Sequence, residues 1–311
     1  MLVPLLARAR WISGAALLTA IVPVARLRAQ TLDDGLTIGR RELRTSVDFT
    51  TDRWSEYWEG TLRRRNDNIG TLTTQSVAGT AMYGVTRNLM VIATAPYVWT
   101  RASDGVLHGM RGTQDLTLAA KYRVLRLPLA DRFVLGANVV GALATPTSDY
   151  TPDFLPMSIG LGSRRVIARA SAHLKDRTGF YADGSFGHAW RSNVSLDRPA
   201  YYTNGHLVLS DQVAMPDVTD WMASVGYQDE RWCIPIGFGG QRTLGGGDIR
   251  RQDMPFVSNR MNFTRTHAAV MYTLPAPLSL ILGVGAARTL SGRNVGRSTT
   301  LSFGVTHVVG L

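Results

Sequence analysis

Leu116, Leu118, Ala120, Tyr122 and Val124 occupy every second position of one stretch, with Asp115, Thr117, Lys121 and Arg123 between them. Leu278, Leu280, Leu282, Val284 and Ala286 alternate in the same way with Ser279, Gly283 and Gly285. Successive side chains of an extended strand point to opposite faces, so each stretch predicts one apolar face and one wet or small-residue face. The pattern recurs along the chain, and no helix-length apolar run follows residue 30. Only helices and closed barrels satisfy the backbone in lipid, and apolar-out, polar-in alternation is the pattern of a barrel. The predicted fold class is all-β: an antiparallel transmembrane β-barrel of about twelve strands, with fourteen allowed if one span is split.

Alternation and turn signals place strands near 43–52, 69–83, 88–101, 112–126, 131–145, 158–174, 178–192, 218–229, 231–243, 261–274, 278–290 and 297–309. Short connections such as Gly84–Arg87, Leu127–Ala130 and Pro275–Pro277 alternate with long ones such as 51–68, 146–157, 192–217 and 244–260. Outer-membrane barrels join strands by tight periplasmic turns and longer external loops. The rhythm therefore predicts an outer-membrane location in a Gram-negative-type bacterium with both termini periplasmic. Tyr201–Val213 has strand-like composition, but an extra crossing would break the rhythm and the even count, so it is assigned to an external loop.

The first 29 residues have the make-up of a secretory signal: Arg8 and Arg10, then an apolar stretch from Trp11 to Val24, then small residues at Ala25 and Ala29. The expected organisation is a signal at 1–29, a periplasmic segment at 30–42 and the barrel at 43–311. The formal charge is +11; setting aside Arg8, Arg10, Arg26 and Arg28 leaves 30 basic against 23 acidic residues. The arginines are scattered rather than clustered on one element, so nucleic acid is not an expected partner. The single cysteine, Cys233, excludes a disulfide framework.

By parity Phe133, Leu135, Ala137, Val139, Leu143, Phe180, Phe186, Trp190, Leu301, Phe303, Val305, Val309 and Leu311 face lipid. The opposite parity makes Asp115, Lys121, Arg123, Arg165, Arg169, His173, Asp183, Arg191, Arg265 and His267 candidate lumen-lining residues. Charges on the lipid face cost about 2–4 kcal/mol each near the midplane, which drives them inward. They either form a cross-lumen ion-pair network or make an electropositive passage for anions. Asp248, Arg250, Arg251 and Asp253, in a glycine-rich loop, form a candidate gate in which the arginines pair with the aspartates. Ser171 and His173 share a face, but no third group marks a catalytic triad. No spacing suggests a metal or cofactor site. The expectation is no enzymatic activity.

Three blocks follow in order: Tyr83–Gly84–Val85–Thr86–Arg87–Asn88–Leu89, then Ala95–Pro96–Tyr97–Val98, then Gly112–Thr113–Gln114–Asp115–Leu116 with Lys121–Tyr122. This series, over roughly residues 69–190, resembles the outer-membrane proteins grouped as "MetA-pathway of phenol degradation". The resemblance implies a barrel that moves small hydrophobic or aromatic compounds across the envelope, with outer-membrane lipid and small organic solutes as partners. Such barrels usually close on a terminal aromatic residue; Gly310–Leu311 stands there in this sequence. Three functions are open: a passive channel, a non-conducting barrel that anchors or scaffolds, and a surface hydrolase. Gly84 is expected to serve the tight turn that follows it.

Overall fold

The computed structural model describes residues 32–250 and 255–310; the predicted signal, Arg251, Asp253 and Leu311 lie outside the described residues. Twelve long strands form one antiparallel sheet: β1 Glu42–Trp54, β2 Leu72–Gly84, β3 Leu89–Ala102, β4 Asp115–Leu129, β5 Phe133–Pro146, β6 Arg165–Asp176, β7 Phe180–Arg191, β8 Val218–Gln228, β9 Trp232–Thr243, β10 Asn262–Thr273, β11 Leu280–Arg293 and β12 Thr299–Gly310. Each pairs with the next, and β12 returns to pair with β1, Glu42 opposite Gly310 and Arg53 opposite Thr299. The sheet is a closed barrel with no free edge. Arg111–Thr113 is a short extra strand on β3.

Most boundaries lie within about three residues of the sequence expectation. One differs more: β6 begins at Arg165 rather than near 158. Residues 158–164 are held in the loop instead, Gly162 with a positive φ and its amide donating to the Tyr150 hydroxyl at 3.0 Å. Tyr201–Val213 lies outside the barrel in two small hairpins, Tyr201–Thr203 with His206–Val208 and Val194–Ser195 with Gln212–Val213.

The outer face is a continuous apolar surface: Leu118, Leu143, Val166, Phe180, Phe186, Val225, Ile236, Val284, Leu301 and Phe303 are all exposed. Exposed apolar surface on this scale belongs to a lipid-facing wall. Aromatic residues gather at its two margins. Phe180 meets Tyr227 and Trp232 meets Tyr272 at the turn end; Tyr97, Trp99 and Phe49 cluster at the loop end, as do His188 and Trp190. Interfacial girdles of this kind are expected where a barrel meets headgroups.

The inner face departs from the expectation of uniform polarity. Met82, Met90, Ile92, Ala119, Val140 and Ala142 form a buried apolar cluster on the inside of β2–β5. Ile38 belongs to it, and Leu32 packs against it. Residues 32–38, part of the segment expected to be periplasmic, thus lie inside the cylinder, where Leu32 and Ile38 cover this stripe.

Candidate functional site

The lumen is shaped by two insertions, one at each end. At the turn end residues 32–41 enter the barrel and dock on the inner wall of β4–β7. Lys121, with no exposed side-chain surface, meets the Asp34 carboxylate at 2.8 Å. Arg169 bridges Asp33 at 3.0 Å and Asp220 on β8 at 2.5 Å. Asn138 donates to the Gly35 carbonyl at 2.7 Å and Ser171 to the Asp34 carbonyl at 3.0 Å. The Gly35 amide reaches Asp183 at 3.3 Å, and Arg123 donates to Thr37 at 3.0 Å. A lone ammonium in such a place would be costly; pairing and backbone bonds make its burial tolerable.

Glycine makes the docking sterically possible at two points. A Cβ at Gly35 would overlap His173, and one at Gly84 would overlap the Gly39 carbonyl. Gly84 therefore serves the close approach of the inserted segment rather than the turn that follows it. Its carbonyl accepts from the Arg41 amide at 2.7 Å. Beside it the buried Arg44 pairs with Glu42 at 2.5 Å, and Glu42 also accepts from the Gly39 amide at 3.2 Å. This fixes the point where the segment leaves the wall.

Below the segment a vestibule of roughly 660 Å3 opens at the turn end. Arg123, Arg126, Arg132, Lys175 and Arg177 line it against Asp176, Asp229 and Glu230. Turn chemistry ties up part of the acid. Asp229 accepts from the Arg231 and Trp232 amides, both at 2.7 Å, and these bonds hold its carboxyl below the usual range. Asp176 accepts from Thr178 and from the Gly179 and Phe180 amides. The balance of the vestibule is cationic.

At the loop end the long connections fold against one another. Val194, Leu196, Tyr201, Val213, Met215, Phe256 and Val257 form one buried cluster; Ile69, Leu72 and Met157 form another. Tyr150 reaches down to Asp115 at 3.3 Å, and Asp115 pairs with Arg165 at 2.7 Å. Burial first, then Asp115, pushes the Tyr150 hydroxyl up to about 12, so it stays a donor.

The proposed gate is wired differently from the sequence expectation. Asp248 pairs with Arg293, which grips it two-handed at 2.7 and 2.6 Å. That bond holds the Asp248 carboxyl down at about 2. Arg250 instead donates to the Asn204 carbonyl at 3.0 Å. Asn294 is the hub: it accepts from Gly60 and Ile249 and donates to Asp248 and the Arg260 carbonyl. The positive φ of Asn294, 56°, lets its side chain face three segments at once.

All ten candidate lining residues alternate with the exposed apolar set. The structure joins Asp115 to Arg165, His173 to Asp183 at 2.8 Å, and Lys121 and Arg169 to the inserted segment. It does not join Arg265, which lies over the Phe263 ring, or His267, to any carboxylate within ion-pair distance among the described residues. Ser171 and His173 have separate partners, and no hydrogen bond links them. The Nε2 of His173 is buried with no hydrogen-bond partner among the described residues. Sequence reasoning missed Asp33, Asp34, Asn138, Asp220 and Asn294. One signal was present: the Asp33–Asp34 pair stands just ahead of a barrel whose inner strands are rich in arginine.

No family model matches the sequence, and no curated protein is significantly similar to it. The expected family name is thus not supported by a family match. Among solved structures, the chain is similar to the COG4313 outer membrane channel from Pseudomonas putida F1, with a TM-score of 0.69 and 18% identity over 91% of this chain and 100% of that one. More distant are the translocator domain of autotransporter NalP from Neisseria meningitidis (TM-score 0.43, 12% identity, 85% and 88% covered) and the NanC porin (0.42, 8%, 84% and 98%). The first likeness gives the fold: an outer-membrane β-barrel.

Proposed function

We propose that the protein is an outer-membrane channel for small organic solutes, gated at its turn end by residues 32–38. The observation that carries this reading is the manner in which the segment is seated. It rests in the lumen through ion pairs and backbone hydrogen bonds; of its apolar side chains Leu36 and Ile38 are buried and Leu32 is half-buried, Ile38 and Leu32 against the apolar stripe. Polar groups can trade these contacts for water once the segment moves out, because the net worth of a typical hydrogen bond is only about 0.5–1.5 kcal/mol. A permanent stopper would instead bury a large apolar surface.

The cationic vestibule favours anions, and the apolar stripe that Ile38 covers offers a surface for rings once the segment leaves. Aromatic carboxylates and phenolates combine both features. The resemblance of residues 69–190 to the phenol-degradation group agrees with this solute class, and the Pseudomonas putida neighbour is an outer membrane channel. The loops would then face outward and both termini the periplasm. The Ser171 and His173 partners support a structural role for that pair rather than catalysis.

The double closure favours a second reading, a non-conducting barrel. Liposome swelling separates the two. With residues 33–38 deleted, benzoate-sized anions should enter faster than neutral sugars of similar mass, and faster than through the full chain. No swelling with either form would favour the non-conducting barrel.

A further inference from the structure

The lipid-facing wall carries an unusual row at its loop end. Arg53 of β1 and Arg288 of β11 both stand opposite Thr299 of β12, one on each side. The row continues through Thr73 of β2 to Arg101 of β3. Arginine and threonine thus alternate over five neighbouring strands, all on the outward parity. Asp52 and Thr300, one residue away, share the other face, where they bond at 2.6 Å.

Like charges two strands apart lie about 10 Å from each other, within mutual repulsion in a weakly screened headgroup layer. No carboxylate lies within ion-pair distance of them among the described residues. Arg53, Arg101 and Arg288 make no ion pair or side-chain hydrogen bond among the described residues, and all three are exposed. Arg53, Arg288 and Thr299 line a cleft of roughly 210 Å3 with Trp54, Glu56, Thr71 and Arg297. The one carboxylate there, Glu56, is taken by Arg297 at 2.7 Å. The Arg297 hydrogen bond, then the charges of Arg63 and Arg288, hold that carboxyl below its usual range, the mark of a positive local field.

The surface inside this row turns apolar and aromatic within two register steps. In register beneath it run Trp99, Gln75, Thr51, Leu301 and Ala286, and beneath those Tyr97, Val77, Phe49, Phe303 and Val284. A cationic cleft directly above a greasy, ring-bearing wall matches a ligand with a phosphorylated head and acyl tails. Arginine pairs phosphate oxygens two at a time, and threonine hydroxyls between the arginines supply further donors.

We propose that Arg53, Thr299 and Arg288, extended by Arg101, form a binding site for a phosphorylated glycolipid of the leaflet at the loop end. With the loops outward as proposed above, that leaflet holds the bisphosphorylated lipid A head. The site itself depends neither on conduction nor on the gate.

Native mass spectrometry of the full chain in neutral detergent, titrated with bisphosphorylated lipid A, tests this. The wild type should retain one lipid A. The Arg53→Gln/Arg288→Gln double variant should bind about tenfold or more weakly, as expected for loss of two charge-assisted contacts. Arg231→Gln, at the opposite end, should bind as the wild type does. On the wild type, lipid A stripped of its phosphates should bind as weakly as the intact lipid binds the double variant, an arm that needs no altered protein. Equal binding with and without phosphates would overturn the proposal. So would equal binding by wild type and double variant, or inorganic phosphate held as tightly as the lipid.

Discussion

The two closures of this barrel differ in what holds them. The turn-end insertion is seated by charge: Asp33 and Asp34 on Arg169 and Lys121, with Asn138 and Ser171 holding the backbone. The loop-end cap is held by apolar burial around Val257 and Met157, both with no exposed surface, and is tied by the Asn294 hub. Apolar packing loses its full transfer and cavity cost when disturbed, whereas charged groups drawn out of the lumen regain their hydration. On the proposed reading the cap stays and the insertion leaves.

The largest expected effect breaks the charged side alone. Lys121→Met leaves the Asp34 carboxylate short of its ammonium, a loss of about 3 kcal/mol. Hydrogen exchange of the amides at 33–38 should then accelerate about a hundredfold, while amides of the 147–164 and 192–217 loops keep their rates. Matching acceleration in both regions would show that the two closures are one cooperative unit.

Met157→Ala is the reciprocal break, worth about 2–4 kcal/mol in a packed cluster. It should loosen the cap, seen as faster exchange near Ile69 and Phe154, and leave residues 33–38 protected. Acid offers a finer cut. Because the Asp248 carboxyl is depressed to about 2, its contribution is intact above its ordinary 3.8 and is lost as pH falls through about 2. Proteolysis of the 244–261 loop with an acid-active protease should rise over that window, and Asp248→Asn should be cleaved readily already at pH 5.

How much of this was legible in the chain follows from the same contrast. Period-two alternation is local, so β4, β5, β11 and β12 declared their faces residue by residue. The inserted segment has no period, and its partners are remote: 87 positions separate Asp34 from Lys121 and 137 separate it from Ser171. Gly84 was visible as a glycine beside a turn, but the carbonyl it accommodates belongs to Gly39, which nothing local indicates. Arg250 differs from the expectation for a related reason. Proximity in sequence favoured Arg250, whereas the two-handed geometry available to Arg293 across the loop won Asp248.

The smallest expected effect concerns selectivity once the segment is gone. Arg165→Gln with Arg169→Gln, in a chain lacking 33–38, should shift the reversal potential toward cations in planar bilayers. Pairing Arg165→Gln with Asp115→Asn removes both charges of one ion pair and should leave the potential near that of the deleted parent. A shift as large with the neutral pair as with the arginines alone would mean that wall charge does not set selectivity.

Single-channel conductance of the full chain beside the chain lacking residues 33–38, in the same bilayer and salt, decides whether the inserted segment is a gate. A gate at residues 32–38 gives brief, rare openings for the full chain and a steady, larger conductance after deletion, with Lys121→Met between them. Identical traces from all three proteins would contradict it.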